Sequence, residues 1–180
     1  MKQPTLQTEF SRPLDITRVP PQGSIETISA DPQECDDLAR RFGLPAVHSL
    51  SAELHVSRWR GEGLKIRGRF SVDLDQTCVV SLETFRSMLT HEFESYFLPA
   101  GTAGAARAQI EEGDAEPFEN GIIDMGEAVA EGVALALDPY PKKSGVEFSD
   151  LIDEEGASAQ GNATESNPFA GLRRLREGKG

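Results

Sequence analysis

An α+β fold, with two main helices packed on an antiparallel β-sheet that has a central hairpin, is what the sequence predicts. Three observations predict it. Two long runs alternate apolar and polar residues around one glycine-containing turn. Two helix starts with capping residues flank the strand-forming block, and no repeated βαβ pattern appears. The chain has 180 residues, enough for one domain of ordinary size and a tail. Residues 1–145 are expected to form that domain, with a disordered acidic loop near 99–117. Residues 146–180 are expected to be an acidic, flexible tail ending in a short basic amphipathic segment, 167–176.

The elements follow in order. Phe10, Leu14 and Ile16 share one parity and predict a first strand, ended by Pro20 and Pro21. Ile25 to Ile28 predicts a second, short strand. Asp31-Pro32-Gln33-Glu34 opens a helix: Asp31 suits the N-cap, Pro32 the first helical position and Glu34 the capping box. Gly43 stops it. Leu50, Ala52, Leu54 and Val56 then alternate with polar residues, Arg60 to Gly63 turns, and Leu64, Ile66, Gly68, Phe70, Val72 and Leu74 alternate again, which predicts the hairpin. Thr77 to Leu82 is a β-branched run and predicts the next strand. Residues 88–98 fit helix or strand by spacing, and the surrounding strands favour strand. Asp124 to Glu127 repeats the capping pattern ahead of an apolar helical face that ends at Asp138-Pro139-Tyr140-Pro141.

Composition narrows the function classes. The formal charge is −12, with 30 acidic and 18 basic side chains, which excludes a uniformly basic nucleic-acid coat. No apolar run approaches the ~20 residues that span a bilayer, so no membrane partner is expected. The N-terminal stretch lacks the apolar core of a secretory signal. Cys35 and Cys78 form neither a disulfide framework nor a CxxC pair, which points to a reducing cytoplasm.

Catalytic and metal chemistry find little footing. The histidines are His48, His55 and His91, and none has a metal-ligand spacing. His91-Glu92 begins like a zinc-protease motif, but Ser95 stands where the second histidine is needed. There is no GxSxG elbow and no phosphate-loop frame. No catalytic residue and no metal is therefore expected.

Two features stand out. Arg58, Arg60, Lys65, Arg67 and Arg69 fall within twelve residues, against a single Glu62. Lys65, Arg67 and Arg69 project from one face of one strand at about 6.6 Å spacing, close to that of successive phosphates in an extended strand. Trp59 offers a ring for base stacking. The same pattern also describes a solvated face whose cations protect an edge strand. The second feature is Asn167 to Arg176, where Phe169, Leu172 and Leu175 recur every third residue beside Arg173, Arg174 and Arg176. Alone it is too short to be a stable helix, so it would order on its own domain, on a protein or on RNA.

Several blocks resemble the YceD family, the large ribosomal RNA subunit accumulation proteins. They are FSRPLDITRVP (10–20), LARRFGLPAVHSLSAELHV (38–56), QTCVVSLETF (76–85), DMGEAVAEGVALALDPYPKKSG (124–145) and the closing NPFAGLRRLR. Thr84 departs from the pattern, because members often carry Pro there. The resemblance implies a bacterial, cytoplasmic, non-enzymatic factor that supports synthesis, processing or stability of large-subunit ribosomal RNA, with no cofactor. Gln76, Cys78 and Glu83 match a family motif of unassigned role. The expected partner is ribosomal RNA or a pre-ribosomal large subunit, met through the hairpin cations. The alternative is an adaptor that recruits an RNase or a ribosomal protein through the C-terminal segment or a helix face.

Overall fold

A computed structural model of the protein describes residues 8–101 and 115–146. The C-terminal segment 167–176, the tail from 147 onward and most of the 99–117 loop lie outside the described residues. The fold is α+β. In chain order come β1 (Pro13–Asp15), a 3₁₀ turn (Ile16–Arg18), β2 (Ser24–Ser29), α1 (Pro32–Phe42), β3 (Ala46–Trp59), β4 (Gly63–Thr77), β5 (Thr84–Pro99), β6 (Glu116–Phe118), β7 (Ile122–Asp124) and α2 (Met125–Ala136).

Five strands form one sheet in the order β2-β3-β4-β5-β6, and β1 pairs with β7 in a separate ribbon. The first four are antiparallel neighbours. β6 runs parallel to β5 beside Phe97–Pro99, so the sheet is mixed rather than purely antiparallel. The connection over residues 100–115 has the length that a parallel return requires.

Two further expectations are corrected. Thr77 to Leu82 is not a strand. β4 ends at Thr77, and residues 78–83 close a loop through Leu82 N–H to the Cys78 carbonyl and Cys78 N–H to the Glu83 carbonyl, both 2.9 Å. Leu82 adopts φ 60°, which no strand accommodates. The first strand is shorter than its parity suggested, because Asp15 accepts the Thr17 N–H and starts a 3₁₀ turn at Ile16. Residues 88–98 are strand, inside β5.

Alternation along the long strands places the core on one face. Leu50, Leu54 and Val56 of β3 and Leu64, Ile66, Phe70, Val72 and Leu74 of β4 are almost fully buried, with Phe10, Leu38, Val129 and Val133 packed in the same core. Burying each such side chain contributes roughly 1.5–3 kcal/mol. Both arms of the α1 capping box are made, between Asp31 and Glu34, and Gly43 ends the helix at φ 65°, where a side chain would be strained. Asp124 caps α2 and also accepts the Arg12 N–H at 2.7 Å and the Ser11 hydroxyl at 2.6 Å. Arg12 in turn forks onto Glu34 of α1 at 2.6 and 2.7 Å. The first resemblance block thus ties the two helix N-termini together.

Candidate functional site

The hairpin cations lie on β3, the turn and β4, and pairing decides which way each points. Directly paired residues share a face. Ser57, Lys65 and Tyr96 form one row across β3, β4 and β5. His55, Arg67 and Glu94 form the next, then Glu53, Arg69 and Glu92. These rows occupy the face opposite the core. Arg58 pairs with Leu64 and so belongs to the core side. There its guanidinium donates to the Ile16 and Val19 carbonyls at 3.1 Å each, closing the 3₁₀ turn.

One carboxylate engages two of the four that remain. Glu94 binds Lys65 Nζ at 2.7 Å and Arg67 Nη2 at 2.9 Å, and accepts from the Tyr96 hydroxyl. The hydrogen bond from Lys65, joined by Tyr96 and Arg67, pulls the Glu94 pKa down to about 2. Trp59 packs on Tyr96 with ring centroids 4.7 Å apart, and the Arg60 guanidinium lies 4.9 Å from its own centroid. Its indole is therefore engaged within the chain. Among the described residues Arg69 makes no ion pair, and it lines a shallow recess of about 370 Å³ with Thr27, Ser51, Glu53, Ser71 and Thr90. The structure brings Lys65, Arg67 and Arg69 together, sends Arg58 elsewhere, and interleaves Glu53, Glu92 and Glu94. The outer face alternates in sign.

At the other end of β4 the family-motif residues build a more closed arrangement. The enclosed Cys78 Sγ accepts the backbone N–H groups of Ser81 and Lys143, each at 3.4 Å. A hydrogen bond from the Ser81 side chain, helped by these backbone donors, pulls the thiol below its ordinary range. Val79 N–H bonds the Pro141 carbonyl at 2.9 Å, and Lys143 Nζ pairs with Glu83 at 2.7 Å, which lowers the Glu83 carboxyl pKa. Gln76 accepts from Ser87 at 2.9 Å. The QTCVVSLE and LDPYPKK blocks, sixty residues apart, thus meet around one sulfur. The loop they form leaves Leu82 76%, Tyr140 71% and Val79 44% exposed. Sequence reasoning passed over these three residues. The signal for them was the co-occurrence of both blocks, and not any property of Val79, Leu82 or Tyr140 alone.

Phe169, Leu172, Arg173, Arg174, Leu175 and Arg176 lie outside the described residues. The family comparison decides the assignment: the description Large ribosomal RNA subunit accumulation protein YceD matches residues 66–176. The chain belongs to the YceD family. The matched stretch holds the QTCVVSLETF, DMGEAVAEGVALALDPYPKKSG and NPFAGLRRLR blocks, while the two earlier blocks precede it. No curated protein and no solved structure matches the chain. Membership in YceD supports a role in ribosome biogenesis, through accumulation of large-subunit ribosomal RNA. No helix among the described residues is long and apolar enough to cross a membrane.

Proposed function

We propose that this YceD protein is a non-enzymatic, cytoplasmic ribosome-biogenesis factor that acts as a protein–protein adaptor, with the Cys78 loop as its docking surface. The observation that carries this reading is the exposure of Val79, Leu82 and Tyr140 on a loop pinned by the Cys78 sulfur. Large apolar side chains on a fixed backbone are the composition of an interface centre, and burying Leu82 and Tyr140 contributes roughly 1.5–3 kcal/mol each. The net charge of −12 favours a basic protein over a phosphate backbone. Direct RNA contact through Lys65, Arg67 and Arg69 is the second reading, favoured by the Arg69 guanidinium in its hydroxyl-lined recess.

One comparison separates the two. The Leu82→Ser, Tyr140→Ser double variant is expected to lose at least ten-fold in co-sedimentation with large-subunit precursors while keeping its RNA affinity. Charge reversal of Arg67 and Arg69 should leave co-sedimentation unchanged. The opposite pattern, with a salt slope reduced by about one per lost phosphate contact, would establish RNA contact instead.

A further inference from the structure

Among the described residues, most of one edge of β5 is open. β5 pairs with β4 from Thr84 to Phe97, but on its other side, among the described residues, only β6 joins it, and only at Phe97–Pro99. From Thr84 to Tyr96 every second backbone N–H and C=O therefore points outward without a strand partner among the described residues, over about 40 Å. β6 already pairs at one end of this edge, so its backbone is in a competent conformation. The opposite edge differs. β2 is six residues long, and Glu26 faces the core side there, opposite Leu54. An inward-pointing charge is a standard block to strand addition, and β5 has none between Leu89 and Phe93 except His91.

We propose that the β5 edge takes an extended segment of a partner protein by strand addition, and that this segment alternates basic and apolar residues. The pattern follows from the two faces of β5. On the core side Leu89 and Phe93 are only partly buried against the main cluster, so apolar side chains on an added strand would finish covering them. On the outer side Glu92, which makes no ion pair among the described residues, stands in the row that an added strand would face, next to Glu94, which already holds Lys65 and Arg67, and Met88, 71% exposed, extends it. A cation opposite Glu92 meets its carboxylate across the new pair. A slip of one residue would set the cations against Leu89 and Phe93, so the alternation also fixes the register. The inference rests on the adaptor reading for the existence of a protein partner, and it specifies how a chain lies on the protein.

The test uses the full chain and a twelve-residue peptide alternating lysine and valine. Amide hydrogen exchange is followed residue by residue, and affinity by fluorescence anisotropy at low salt. The expected result is new protection at alternate amides within 84–96. Binding should weaken at least ten-fold when alternate peptide nitrogens are methylated, and about three-fold in Glu92→Lys. Binding without new β5 protection, or binding indifferent to methylation, would overturn the proposal. So would protection of those amides before peptide is added, which would show the edge to be filled by the chain itself. If instead the Leu82→Ser, Tyr140→Ser variant keeps its particle association while the peptide still protects β5, the loop reading fails and the strand-addition site stands.

Discussion

The two ends of β4 are built on opposite plans. At Gly63 the chain comes out of a tight turn flanked by cations, and most of those cations are held within the chain: Lys65 and Arg67 by Glu94 of the neighbouring strand, Arg58 by the Ile16 and Val19 carbonyls. At Thr77 the chain enters a loop poor in charge, whose sulfur gathers backbone donors from two distant segments and whose apolar side chains face outward. The first end satisfies its polar groups and leaves little to offer a partner. The second satisfies its backbone and leaves apolar surface over. The contrast teaches that a dense run of charge marks a binding surface only when its counter-charges lie elsewhere.

The sharpest way to break the turn end is Gly63→Ala. A Cβ there would sit 2.6 Å from the Trp59 carbonyl oxygen and 2.8 Å from that of Phe97, and backbone atoms cannot step aside as a side-chain tip can. A loss of about 3 kcal/mol in urea unfolding is expected. Gly61→Ala, two residues earlier, is the control. Its φ is 78° but nothing lies within 4 Å, so only the conformational cost of about 1 kcal/mol applies.

The loop end should yield less. Cys78→Ala leaves the Ser81 and Lys143 N–H groups without their acceptor, at a cost of about 1–3 kcal/mol. The folded-state thiol pKa is depressed, so the thiolate's added contribution is fully present above the unfolded value and is lost as pH falls through the folded one. Thiolate absorbance in single-cysteine variants checks the cause. Cys78 should titrate below the ordinary range and Cys35, desolvated by burial, above it.

Much of the fold was legible because its signals are local. The capping residues of α1, the two-residue period of β3 and β4 and the proline stop after α2 each act within a few positions. The Cys78 loop was not legible by the same means. Val79 and Val80 carry strand propensity, but the sulfur's bonds to Ser81 and to Lys143, sixty-five residues away, decide the backbone there. The hairpin cations were legible as residues and illegible as a surface. Glu94 is 27 residues from Arg67 in sequence and adjacent to it only once β4 and β5 pair. Period and composition report what a strand carries, while pairing reports what neutralises it.

Glu94 is therefore where the contrast between the two ends can be tuned most finely. Glu94→Gln removes the shared counter-charge of Lys65 and Arg67 without changing side-chain volume. The pair is partly exposed, 25% for Lys65 and 30% for Glu94, so the stability lost at pH 7 should stay under about 1 kcal/mol. Its pH dependence has a definite sign. The folded pKa of about 2 lies below the ordinary 4.5, so the contribution is present above pH 4.5 and fades as pH falls towards 2, where variant and wild type should unfold alike. The same substitution makes the outer face one charge more positive. If that face meets RNA, affinity for a single-stranded polyanion should rise and its salt dependence steepen by up to ~0.7 per added phosphate contact. If the face is only a solvated side of the sheet, stability moves and RNA affinity does not, and the contrast between a self-satisfied turn and an outward-facing loop holds at the level of a single carboxylate.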